Sequence, residues 1–198
     1  KLSIDPASVG SSSLELVLKA KSLPYERIEQ ASAQAPALSS AHGSIVGKKQ
    51  ILDYLDREFP ETRSFTPENE ERRERMENWL KWVDEVFTPD ARRWIDGRHA
   101  LTPAESHALE VALEKHLYRL KTPLQRARKF LITRDPSQAD ISAYATLVDL
   151  RAADFPKDFP ERFDLVWGWM DSVAEVVQEG IEPRPKVLRR AGDAIWPN

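Results

Sequence analysis

The sequence predicts a chain in two parts, a small α/β unit followed by an all-helical bundle. Three observations carry this. Short, mixed pieces of strand and helix character run as far as Phe59, apolar stripes at helical spacing run from Pro67 to about residue 180, and the composition shifts between them at Phe59-Pro60-Glu61-Thr62-Arg63-Ser64. The expected division is residues 1–60, a linker at 61–66, and a helical part at 67–198.

In the first part, Leu2-Ser3-Ile4 is a short apolar piece followed by a Pro- and Ser-rich turn. Ser11 or Ser12 is placed to cap a helix whose inward face is Leu14, Val17, Leu18 and Leu23, with Ser22-Leu23-Pro24 as its stop. Tyr25 to Glu29 alternates like a half-buried strand, and Pro36-Ala37-Leu38 and Ser44-Ile45-Val46 read as two strands joined across Ala41-His42-Gly43. A second helix puts Ile51, Leu52, Leu55 and Phe59 on one side. Strand, helix, strand, hairpin, helix is too small for a doubly wound sheet.

The helical part is punctuated by caps and prolines. Thr66-Pro67-Glu68 is the expected start of a helix carrying Met76, Trp79, Leu80, Val83, Val86 and Phe87. Thr102-Pro103-Ala104-Glu105 is a capping box ahead of Leu109, Ala112, Leu113, His116 and Leu120. Ser137-Gln138-Ala139-Asp140 opens a helix expected to bury Ile141, Tyr144, Ala145 and Val148, with Asp140 as its capping acid. A last stripe of Phe163, Val166, Trp167, Met170, Val173, Ala174 and Val177 ends at Gly180.

Composition removes whole classes of function. A formal charge of −3 leaves no basic footprint for nucleic acid. No apolar run approaches the ~18 residues that suggest a membrane span, and no charged-then-apolar leader is visible, so the expected compartment is the cytosol. The chain has no cysteine, which removes disulfides, thiolate metal sites and thiol nucleophiles together. His42, His99, His107 and His116 are scattered, so no metal is assigned. Glu68 to Glu77 reads as a solvated helix face, and the basic, proline-rich stretch from Pro183 to Arg190 as a surface tail.

Four stretches resemble the glutathione transferase superfamily: Ser8-Val9-Gly10-Ser11 with Leu14 to Glu26, Ala35-Pro36-Ala37-Leu38, Ile51-Leu52-Asp53-Tyr54-Leu55 with Phe59-Pro60, and Phe130-Leu131 with Ser137 to Ile141. They occur in the family's order along nearly the whole chain. The resemblance implies a thioredoxin-like N-terminal domain joined to a helical domain of the family's C-terminal type, glutathione as cofactor, and a homodimer. It also places Ser8, with Ser11 at the helix start, where the family holds the glutathione thiolate. A hydroxyl there would favour the charged form, and the helix N-terminus would add to it. The same serines serve equally as a cap and a polar turn.

By the same resemblance Ala35 would pair with the cysteinyl backbone of glutathione and Pro36 would be the family's cis-proline. Gly47-Lys48 falls where the family has Glu-Ser to receive the γ-glutamyl end, so glutathione binding is expected to be weak. Lys48 and Lys49 are either a solvated face or, at a helix N-terminus, an anion cradle. Residues 26–35 are too few to finish one strand, form the family's second helix at a mean ~11–12 residues and enter the next strand, so that helix is expected to be missing. Trp82, Arg93 and Trp94 are the expected lining of a pocket for a flat or anionic ligand. The expected function is therefore a transferase-like protein with a degenerate glutathione site. It would bind a small hydrophobic or anionic ligand or a protein partner, with little or no conjugation. The alternative is an active serine-type transferase acting on hydrophobic electrophiles.

Overall fold

The computed structural model describes residues 1–4, 9–29, 36–40, 43–97, 100–126, 128–155 and 161–179. The expected site residues Ser8 and Ala35 and the basic tail lie outside them. Four strands, β1 (Leu2–Ile4), β2 (Arg27–Glu29), β3 (Ala37–Ser40) and β4 (Gly43–Val46), form one sheet in the order β2-β1-β3-β4. β1 and β2 are parallel, joined by helix α1 (Val9–Ala20), while β3 runs antiparallel to both β1 and β4. This is the topology of a thioredoxin-like unit. Residues 30–36 alone lie between β2 and β3, fewer than a mean helix of ~11–12 residues requires.

Helix α2 (Lys48–Glu58) closes the unit by burying Ile51, Leu52 and Leu55. Residues 70–97 then form one helical rod in three segments: α3 (Glu70–Trp82), a π turn at Val83–Phe87, and α4 (Thr88–Gly97). The long α5 (Pro103–Leu124), α6 (Gln138–Ala152) and α7 (Asp164–Glu179) complete the bundle. α1 packs on α6 and α7 as well as on α2, so Leu14, Val17 and Leu18 belong to a core shared by sheet and bundle.

Two buried charges hold the assembly. Lys21, at the end of α1, is buried. Its Nζ lies 2.7 Å from Asp56 on α2 and donates to Thr62 Oγ1 and the Arg63 carbonyl at 3.0 and 2.9 Å. Asp140 is 0% exposed. It accepts from the Leu131 and Ser137 amides, the Ser137 hydroxyl and the Trp169 indole, at 2.7–2.9 Å. Burial raises the pKa of its carboxyl above the ordinary value, and these four donors offset that rise only in part. The expected capping role is thus observed, and it extends to α7.

Several local expectations are corrected. α1 begins at Val9, so Ser11 and Ser12 sit inside its first turn, past the cap position expected for them. α3 begins at Glu70, where Asn69 accepts from the Arg72 amide, while the Thr66 hydroxyl donates to Asp56 at 2.9 Å and accepts from Gln138 at 2.8 Å. In the π turn the Thr88 amide bonds to the Val83 carbonyl, five residues back. The extra residue shifts the helical phase and leaves Val86 42% exposed between buried Val83 and Phe87. Val148 is 40% exposed, whereas Ala143, Leu147 and Leu150 carry that side of α6 inward.

Candidate functional site

The β3–β4 hairpin brings the start of β3 against the start of α2. The Gly47 amide donates to the Pro36 carbonyl at 3.0 Å, one step beyond the Ala37–Val46 pair, and Pro36 is buried. Gly47 is the residue before α2, with φ +96° and ψ 139°. A Cβ there would meet Gln50 Oε1 at 2.5 Å in a backbone region essentially reserved for glycine. Pro36, Gly47 and Lys48 are therefore neighbours in the structure. Ser11 lies in the first turn of α1.

Lys48 is neither a solvated lysine nor an open anion cradle. Its side chain is 16% exposed, and its Nζ lies 3.2 and 3.5 Å from the carboxylate oxygens of Asp84, in the π turn of the helical part. Burial pushes the ammonium below its ordinary pKa, while Asp84 acts in the opposite direction. Lys49 does match the solvated reading: its exposed ammonium pairs with Glu77 at 2.9 Å, which raises its pKa.

Lys48 stands at one end of a cleft of about 1070 Å³ between α2 and α3. Leu52, Met76 and Leu80 form its apolar floor. The basic side chains along its walls are Lys48, Lys49, Arg57, Arg73 and Lys81, facing Asp53, Asp56, Glu68, Glu70, Glu77 and Asp84. Three of the five cations are spent on acids of the same wall set, in the pairs Lys48–Asp84, Lys49–Glu77 and Arg73–Glu70. The cleft is thus charged but internally compensated, and can hold a ligand of modest net charge. Among the described residues no group of His, Cys, Asp and Glu could hold a metal ion, and no helix is long and apolar enough to cross a membrane.

Trp82, Arg93 and Trp94 are not brought together around this cleft. Trp82 is 6% exposed, stacked on Phe87 at 5.2 Å and set edge-on to His116 at 5.5 Å. Trp94 is 5% exposed and edge-on to Phe155, while Arg93 is exposed. The π turn helps put both indoles into the core. Trp79, expected on the core stripe, is only half-buried. The residue missed from sequence is Asp84: a Lys–Asp pair 36 positions apart leaves no local signal. His116 does face inward as expected, and its Nε2 lies 2.8 Å from Asp90.

Residues 103–172 match the family model described as "Glutathione S-transferase, C-terminal domain". No curated protein sequence matches the chain. Among solved structures, a glutathione S-transferase from Rhodospirillum rubrum F11 superposes with a TM-score of 0.74 at 20% identity, over 94% of this chain and 93% of that one. Human glutathione S-transferase T1-1 in its apo form gives 0.76 at 20% identity, over 91% and 84%. The β-etherase LigF from Sphingobium sp. strain SYK-6 gives 0.71 at 18% identity, over 90% and 97%. Residues 103–172 thus match a glutathione S-transferase C-terminal domain, and the chain along nearly its whole length has the fold of solved glutathione S-transferases.

Proposed function

We propose that this protein is a transferase-fold ligand-binding protein with a degenerate glutathione site. It binds a small hydrophobic or anionic ligand, or a protein partner, at the α2–α3 cleft, with little or no conventional conjugation. The observation that carries this reading is the Lys48–Asp84 pair. At the position that resemblance assigns to the γ-glutamyl carboxylate, Gly47 offers no side chain and the Lys48 ammonium is held by an acid of the same chain. A hydrogen bond to a charged group is worth roughly 1.5–3 kcal/mol, so its loss weakens glutathione by about 10- to 150-fold.

The buried Pro36 bonded to Gly47 favours a second reading, in which the thiol-binding half survives and Ser8 serves an active serine-type transferase. Calorimetry with reduced glutathione separates the two. The binding-protein reading expects no saturable heat at several millimolar, and gain of binding in Asp84→Ala, where the Lys48 ammonium is released. Millimolar or tighter binding that weakens in Ser8→Ala supports the enzyme and defeats the first reading. A homodimer and a cytosolic location accompany the proposal, and light scattering tests the former.

A further inference from the structure

The other wall of α3, away from α2, borders a second and smaller cleft of about 210 Å³, closed by the end of α5 and by residues 128–132. Its polar lining is Arg75, Asn78, Arg119 and Arg128 around the Trp79 ring and Pro123, and among the described residues no carboxylate lines it. The Arg119 guanidinium lies over two indoles, 4.5 Å from the centroid of Trp82 and 5.4 Å from that of Trp79. Trp82 is a core residue, so the guanidinium of the otherwise exposed Arg119 rests on a fixed aromatic surface. Burial lowers its pKa from the ordinary value, and among the described residues no carboxylate pairs with it.

The other two arginines are available in different degrees. Arg128 uses one nitrogen on the Ile132 carbonyl at 3.4 Å and has no carboxylate partner among the described residues. Arg75 is held by Glu71 one turn earlier, with both side chains more than half exposed. Such i, i+4 surface pairs are worth only ~0.3–0.5 kcal/mol and exchange readily for a stronger anion. Planar guanidinium forks match phosphate and carboxylate oxygens two at a time, and three of them in one cleft favour a dianion over a monoanion. The cleft lies below the ~300 Å³ at which drug-sized pockets begin, so it holds a head group and leaves the rest of the ligand against Trp79 and Pro123.

We propose that the Arg75–Arg119–Arg128 cleft is a binding site for small phosphate monoesters carrying a flat apolar group. This site lies on the other wall of α3 from the α2–α3 cleft, with Asn78 lining both, and does not depend on the function proposed for that cleft. The test is calorimetry on the full chain with phenyl phosphate and, in parallel, inorganic phosphate. Saturable phenyl phosphate binding below about 10 mM is expected, tighter than that of inorganic phosphate. Arg119→Gln and, separately, Arg128→Gln are each expected to weaken it by at least about tenfold. Arg128→Gln serves as the second variant should exposure of Trp82 in Arg119→Gln disturb folding, and both are checked by thermal unfolding. Absence of saturable binding, or binding unchanged in a folded Arg128→Gln protein, would overturn the proposal. So would a short oligonucleotide or phosphopeptide binding at least about tenfold more tightly than phenyl phosphate, since the site would then serve a macromolecule.

Discussion

Replacing Asp140 by alanine removes the acceptor for four donors at once, in a position with no access to water. The Leu131 and Ser137 amides, the Ser137 hydroxyl and the Trp169 indole N–H all converge on its two oxygens. Each buried donor left without a partner costs roughly 1–3 kcal/mol. The hydroxyl can turn away, and removing the carboxylate recovers the cost of burying a charge. The remaining loss falls near the ~3–5 kcal/mol seen when one partner of a buried charged network is deleted. Against a typical domain stability of ~5–15 kcal/mol, Asp140→Ala is expected to lose a large share of the folded margin, about 4 kcal/mol. Asp140→Asn keeps one accepting oxygen and so retains two of the four bonds, with an expected loss of about 2–3 kcal/mol. Trp169→Phe deletes a single donor and costs about 1–2 kcal/mol. Urea unfolding followed by circular dichroism orders the three. A loss below about 1 kcal/mol for Asp140→Ala would refute the reasoning, because the four donors would then have found other partners.

Three more expectations follow from other sites. The Lys48 ammonium is buried and its Asp84 partner half-exposed, so Lys48→Met leaves a carboxylate that water can solvate; its stability is expected within about 1 kcal/mol of the parent. Burial depresses the folded pKa of Lys48, so the unfolded chain binds more protons in the window between that value and the ordinary one. Stability therefore gains from this group as pH rises through that window, and Lys48→Met removes the gain; thermal unfolding across it reads the difference. Gly47→Ala is expected to cost roughly 1–3 kcal/mol through its +96° φ, and a Gly47→Ala/Gln50→Ala double variant that recovers fully would locate the whole effect in the side-chain clash. The bonds from the Thr102 side chain and backbone hold Glu105 below the ordinary carboxylate pKa, so capping stability is present above the unfolded value and is lost as pH falls through the folded one. NMR titration of Thr102→Ala is expected to show the Glu105 pKa moving back up, and an unchanged value would contradict the capping box.

Most of the fold is legible because its signals are local. Proline at the start of α5, a capping acid three residues after Thr102 and Ser137, and apolar spacing in α1, α2 and α7 each act within one or two turns. The site is less legible. Gly47 and Lys48 can be located by their place at the start of α2, but their state depends on what packs opposite.

Sequence by itself therefore determines that a small α/β unit precedes a helical bundle, that no cysteine chemistry is available, and that Asp140 caps α6, because composition and short-range backbone chemistry suffice for these. Tertiary structure alone decides that Lys48 is neutralised by Asp84, that a π turn helps bury Trp82 and Trp94 in the core, and that Arg119 is held over two indoles. Each of these depends on helices far apart in the chain meeting at a particular rotation. One extra residue in a turn is enough to change which side chains face a cleft and which face the core.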